Sequence, residues 1–133
     1  MVAIFVGWSV TDFVIHQVIL GDDYAATADM WWPMEEMEME LIYSVVAFAA
    51  FAFVYIYSRF FSDKSVSAGL MFGILFGLST GFSMGYGTYA VQPLLHDIAL
   101  TWFIDTTVQV AIAGLLVGAI VKPTADDTSA STA

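Results

Sequence analysis

The chain contains no cysteine and only three basic residues among its 133 residues. Without cysteine it can form no disulfide, thiolate metal site or redox-active thiol. Thirteen acidic residues give a formal net charge of −10, which argues against nucleic acid and against anionic lipid surfaces as partners. The sequence also lacks a nucleophile paired with a base, a phosphate-binding loop and a haem-attachment motif. No pattern in it therefore indicates an enzyme, and none identifies a cofactor.

Apolar residues, by contrast, make up 59% of the chain, and the mean hydropathy is +0.80. These values are typical of an integral membrane protein, with the lipid bilayer as its first partner. Apolar runs of sufficient length predict four transmembrane helices in one domain, residues 1–123. The predicted spans are about 2–20, 34–58, 66–89 and 98–121. The fold class is therefore all-α, an integral membrane four-helix bundle.

Local sequence signals place the ends of these helices. The first run ends at Gly21 with two carboxylates after it, and Pro33 is expected at the first position of the second helix. Pro93 separates the third helix from the fourth, and Pro123 follows the fourth. The remaining residues, 124–133, are small, polar and acidic, and their composition predicts a disordered tail.

The third predicted helix carries a glycine at every fourth position, which is the pattern of a glycine zipper. Its members are Gly69, Gly73, Gly77, Gly81 and Gly85. This spacing forms one ridge of nearly bare backbone on a helix. Each internal glycine costs a helix about 1 kcal/mol relative to alanine, and close helix packing can offset that cost in lipid. The fourth helix has its own small pair, Gly114 and Gly118, so helix packing is expected at both sites.

Four crossings place both chain termini on the same side of the membrane. All three basic residues, Arg59, Lys64 and Lys122, fall on that side, which the positive-inside rule identifies as the cytoplasm. Helical spans favour an inner membrane, because β-barrels belong to the outer one. The expected location is the bacterial inner (cytoplasmic) membrane, with multiple passes and cytoplasmic N- and C-termini.

Three ionisable residues lie within the predicted spans: Asp12, His16 and Asp105. Such residues are functional hypotheses by default, because each is costly in lipid unless it is paired. Asp12 and His16 are one turn apart on one helix face. They are expected either to form a hydrogen-bonded pair that fixes the helix to its neighbours or to serve as a proton relay or metal ligands.

A metal site is a weaker alternative. His16, Glu36, Glu40 and Asp105 all fall in the same half of the predicted bundle and would supply suitable ligands for iron, manganese or zinc if they converged. No Glu-x-x-His pair accompanies them, so the pattern of ferritin-like di-metal proteins is missing.

Several segments resemble a family of small, uncharacterised bacterial four-helix membrane proteins. They are Gly21 to Tyr24 with G-x-x-Y spacing, the acidic segment with Trp31, Trp32 and Pro33, the run GLMFGILFGL, and the closing GLLVGAIVKP. The resemblance covers most of residues 1–123 and implies the fold and topology only. This chain has Trp32 and Met71 where such proteins carry arginines.

Three functions follow as hypotheses from the sequence. The first is a non-catalytic accessory subunit of a larger membrane complex, respiratory, photosynthetic or oxidase, that packs through the glycine-rich helix. The second is a small transporter or proton channel that self-associates and uses Asp12, His16 and Asp105 as its polar path. The third is a metal-binding membrane enzyme.

Overall fold

The computed structural model describes residues 1–122, except for the side chain of Met34, and all regular secondary structure in this range is helical. Four helices within it are long and apolar enough to cross a membrane: Val2–Ile19, Met39–Phe60, Val66–Val91 and His96–Ile120. This agrees with the all-α class and with the number of spans predicted from the sequence. The predicted tail, residues 124–133, lies outside the described residues.

The first crossing changes its helical winding in its last third. Helix α1 covers Val2–Phe13, and a π-helical segment, Val14–Ile19, continues it. The amide of Leu20 donates to the carbonyl of Ile15 at 2.9 Å, which is the five-residue hydrogen bond of a π turn. Such turns are rare and often occur at functional sites. A short helix, α2, follows at Gly21–Ala26.

The second crossing begins later than the sequence suggested. Pro33 precedes a single 3₁₀ turn at Met34–Glu36, and helix α3 covers Met39–Phe60. The two are separate because Glu38 has φ −77° and ψ 75°, outside the helical region. The acidic residues before Met39 therefore lie in the connection, and the long helix starts where the apolar run starts.

Helices α4, Val66–Val91, and α5, His96–Ile120, form an antiparallel hairpin. The side chain of Ser65 caps α4 by accepting a hydrogen bond from the amide of Ala68 at 3.1 Å, which satisfies one of the free amides of the first turn. The Tyr57 hydroxyl of α3 donates to the carbonyl of Ser65 at 2.9 Å. These two contacts join the end of α3 to the start of α4.

All five ridge glycines of α4 are buried, and they face α5 of the same chain. A Cβ atom at Gly73 would lie 2.5 Å from the Val110 carbonyl oxygen and 2.9 Å from Gly114 Cα. At Gly81 it would lie 2.7 Å from the Phe103 carbonyl oxygen. The two backbones are thus too close to accommodate side chains between them. This face of α4 is consequently unavailable to a separate subunit.

The buried apolar residues form two clusters at opposite ends of α5. One is built around Phe53, Tyr57 and Val117, with the Phe53 and Phe72 rings stacked at 4.6 Å between centroids. The other contains Leu20, Leu94, Ile98 and Ala99. Between them, α5 contributes two buried polar residues, Asp105 and Gln109. The core is therefore divided by a polar layer near the middle of the helix.

Candidate functional site

The polar layer consists of Asp12 from α1 and Asp105 and Gln109 from α5. The Gln109 side-chain amide donates one hydrogen bond to Asp12 Oδ1 and one to Asp105 Oδ2, each at 2.9 Å. Because a primary amide has two N–H donors, both are used. Asp105 and Gln109 are 9% and 7% exposed, so the layer is closed on the α5 side.

Local helix geometry and one indole hold this layer in place. Asp105 and Gln109 are four residues apart and so lie on the same face of α5. The Trp8 indole N–H donates to the Gln109 backbone carbonyl at 3.2 Å, which fixes α1 against α5 one turn from Asp12. Among residues 1–122, no basic side chain forms an ion pair with either carboxyl group. The amide of Gln109 is their shared partner.

An aromatic cluster of His16, Tyr24, Trp31 and Trp102 lies at the end of the first crossing. The Trp102 indole donates to the Tyr24 hydroxyl oxygen at 2.8 Å, and His16 Nδ1 lies 2.6 Å from the same oxygen. Trp102 can only donate, and a phenol has a single proton of its own. The simplest complete arrangement has Tyr24 donating to His16 Nδ1, which places the imidazole proton of neutral His16 on Nε2.

Burial raises the pKa of the Tyr24 hydroxyl to about 12 from its ordinary value of 10.0. The hydrogen bond from Trp102 opposes this rise, because it favours the phenolate, whereas the negative charges of Asp105 and Asp23 add to it. Tyr24 therefore stays protonated near neutral pH and remains a donor to His16.

Tyr24 should titrate separately from an ordinary tyrosine. The difference in tyrosinate absorbance between the wild-type protein and Tyr24→Phe is expected to have its midpoint near pH 12 rather than near 10. Between those values the unfolded chain loses the Tyr24 proton and the folded chain keeps it, so the free energy of unfolding should fall as pH rises through this window. Tyr43→Phe, on the exposed side of α3, controls for the loss of one phenol. A midpoint near pH 10 for Tyr24 would contradict the buried cluster.

The predicted pairing of Asp12 with His16 is not found. Each side chain instead binds a residue from outside α1, since Asp12 accepts from Gln109 and His16 contacts Tyr24. The π-helical segment that starts at Val14 also changes the winding between the two residues. Periodicity alone could not reveal this, because it describes one helix and not its neighbours.

The weak metal candidates do not assemble either. Glu36 and Glu40 are exposed, whereas Asp105 is buried and His16 is half-buried. Within residues 1–122, no group of three or more histidine, cysteine or carboxylate side chains is arranged to hold a metal ion. Because α3 starts only at Met39, Glu36 lies in the connection and not on that helix.

Sequence reasoning did not recognise three members of the site: Gln109, Tyr24 and Trp102. Gln109 carried a usable signal, because it stands one turn after Asp105 at membrane depth, where an amide needs partners. Tyr24 and Trp102 carried none, since aromatic residues near the ends of membrane spans are common for other reasons. Their contact depends on the tertiary structure.

The comparisons with known proteins add no relative to this description: no protein-family model, curated protein or solved structure matches the chain.

Proposed function

We propose that this protein transfers protons within the membrane, as a small transporter or channel that uses Asp12 and Asp105 as its proton-carrying groups. The observation that carries the proposal is the Gln109 amide, which joins carboxyl groups of two helices inside two of the four apolar spans. A charged carboxylate without a cation is costly at membrane depth, and uptake of a proton removes that cost. Carboxyl groups in this setting are well suited to exchange protons.

A proton fits the polar layer better than a metal cation does. A cation shared by two carboxylates would lie between their oxygens, where the nitrogen of Gln109 lies instead, 2.9 Å from each. Nitrogen with both of its hydrogens directed at carboxylates repels a positive ion. Sodium, magnesium or calcium would require the amide to turn and several further oxygen ligands to approach.

His16 supplies the continuation of this path towards the end of the first crossing. Tyr24 occupies its Nδ1 atom, and Nε2 has no hydrogen-bond partner among residues 1–122. The Nε2 atom is therefore the position at which His16 can exchange a proton with the solvent side. Tyr24 serves to orient the imidazole, because its own proton is held too firmly to be transferred near neutral pH.

We propose that the protein works as an assembly of several copies. A cavity of about 20 Å³ lies beside Gln109 within the single chain, which is enough for about one water molecule. Four helices of this size enclose little aqueous volume, so continuous passage across the bilayer requires contacts between copies.

We also propose that both termini face the cytoplasm of a bacterial inner membrane. Gly69, at the start of α4, contacts Gly118, at the end of α5, which supports a common end of the bundle for Lys64 and Lys122. Arg59, in the last turn of α3, precedes Lys64 by a short connection. Three positive charges at one end favour that end as the cytoplasmic one.

The test of the proposed function is proton flux into vesicles. The purified protein, reconstituted into liposomes with an internal pH-sensitive dye, should acidify or alkalise the lumen when a potassium diffusion potential is applied. Asp105→Asn keeps an acceptor for Gln109 but carries no exchangeable carboxyl proton, so the flux should fall to the level of protein-free vesicles. Asp97→Asn is the matched control, because the Asp97 side chain is 85% exposed. Equal flux in wild type and Asp105→Asn would contradict the proposal.

An accessory role in a larger complex is the second candidate, and one observation favours it. The outward face of α4 has a second ridge of small residues at every fourth position, Ser79, Ser83 and Gly87, which line an open groove with Phe82 and Tyr86. A Cβ atom at Gly87 would meet nothing within 4 Å. Such ridges allow close approach of another helix in lipid. Native mass spectrometry of the protein from its source membrane should then show unrelated chains at fixed stoichiometry, whereas a homo-oligomer would exclude this role.

A further inference from the structure

The small cavity beside Gln109 lies between α1 and α5, on the side of the polar layer away from His16. Trp8 and Thr11 line it from α1, and Gln109 and Ala113 are among the residues that line it from α5. Its volume, about 20 Å³, exceeds the roughly 10–15 Å³ that one water molecule needs. Most of its lining is apolar, including Ile4, Ile112 and Leu116, so its content depends on the polar groups of Thr11 and Gln109.

We propose that this cavity is a binding site for one water molecule, held by Gln109 and Thr11. The Gln109 side chain is 7% exposed, and both of its N–H groups are committed to Asp12 and Asp105. Its Oε1 atom accepts no hydrogen bond within residues 1–122. That oxygen is therefore free to accept a hydrogen bond, and Gln109 lines the cavity. A water molecule in the adjoining cavity can supply that donor.

Thr11 offers the second acceptor. Its hydroxyl donates to the Gly7 carbonyl at 2.8 Å, so the hydroxyl hydrogen is already used and the oxygen lone pairs remain. A water molecule has two hydrogens to donate, one for Thr11 and one for Gln109. The Trp8 indole also lines the cavity, but its single N–H is directed at the Gln109 backbone carbonyl. Two to four polar partners are what buried water requires.

The functional meaning of this site rests on the proposed proton transfer. The water extends the polar chain past Asp12 towards the start of α1, so that polar groups continue on both sides of the layer. The water lies next to Gln109, the residue that binds both Asp12 and Asp105, and it brings an exchangeable proton close to the layer, which the surrounding apolar side chains cannot do. The water site itself is independent of whether protons move.

Water-edited solid-state NMR of the protein in lipid bilayers tests the site directly. Magnetisation from water should reach the Gln109 side-chain carbonyl carbon at short mixing times in the wild type. In Thr11→Val, which keeps the shape and removes the hydroxyl, that transfer should be lost. Thr80→Val is the matched control, because the Thr80 hydroxyl makes the same type of bond, to the Phe76 carbonyl at 2.8 Å, on another helix.

Absence of transfer to Gln109 in the wild type, or equal transfer in Thr11→Val, would overturn the water site. The measurement needs no proton gradient, so its outcome is separate from that of the flux assay. Transfer to Gln109 in a protein without flux would support the water site and contradict the proposed function. A cavity without water in a protein that conducts protons would contradict the water site and support the proposed function.

Discussion

Alanine at Gly73 is expected to destabilise the protein by about 1–3 kcal/mol, the usual cost of adding atoms to a packed core. The new Cβ atom would lie 2.5 Å from the Val110 carbonyl oxygen and 2.9 Å from Gly114 Cα. Both are backbone atoms, so no side chain can turn aside to make room. The helices α4 and α5 would have to separate along the whole ridge, with loss of packing at the neighbouring glycines.

Gly87→Ala is the control for this substitution, because Gly87 lies on the same helix and its Cβ atom would meet nothing within 4 Å. There the intrinsic preference of helices for alanine should dominate and stabilise the protein by up to about 1 kcal/mol. The two variants are thus expected to shift stability in opposite directions. Unfolding in mixed micelles, followed by circular dichroism, measures both. If Gly73→Ala were as stable as Gly87→Ala, the close contact between α4 and α5 would be wrong.

Leucine at Gln109 is expected to have the second large effect, about 2–4 kcal/mol of destabilisation, because it leaves the buried carboxyl group of Asp105 and the half-buried one of Asp12 without their shared donor. Asp12 and Asp105 would lose the amide that joins them and would face each other without a donor. Contact between α1 and α5 would then depend on Trp8 and on the apolar residues around Ile4. Hydrogen exchange should therefore increase in α1 before it increases in α4.

Gln17→Leu is the matched glutamine control, since Gln17 is exposed on the π-helical segment. A change there should stay within about 0.5 kcal/mol. Adding Asp105→Leu to Gln109→Leu should recover part of the lost stability, because replacing both partners by apolar groups can be nearly neutral. Additive losses in this double variant would show that Gln109 and Asp105 are not coupled.

The glycine ridge of α4 shows how much of the fold can be predicted from the sequence. Five glycines at one period require a neighbour that approaches closely, and the structure supplies one. The sequence did not identify that neighbour as α5 of the same chain. A signal was available, because Gly114 and Gly118 have the same spacing and contact Gly69 and Gly73. Two small ridges in successive helices pair most simply with each other.

The candidate site was less accessible to sequence reasoning. Asp12, His16 and Asp105 could be selected by their depth in apolar runs, because ionisable groups in that position are rare. Their partners could not be selected in the same way. Gln109 binds Asp12, which lies 97 positions earlier in the chain, and Tyr24 and Trp102 are 78 positions apart. Such contacts depend on how the helices pack, which periodicity within one helix does not report.

The close contact between α4 and α5 has a consequence for biosynthesis. These two helices are the last of the four to leave the ribosome, yet α5 provides the residue that binds Trp8 and Asp12 of α1. During synthesis, α1 and α3 can already contact each other through Trp8 and Phe53, whereas Asp12 still lacks Gln109. Helix α5 then supplies Gln109 and Asp105, so the polar layer can form only after the α4–α5 hairpin has been made.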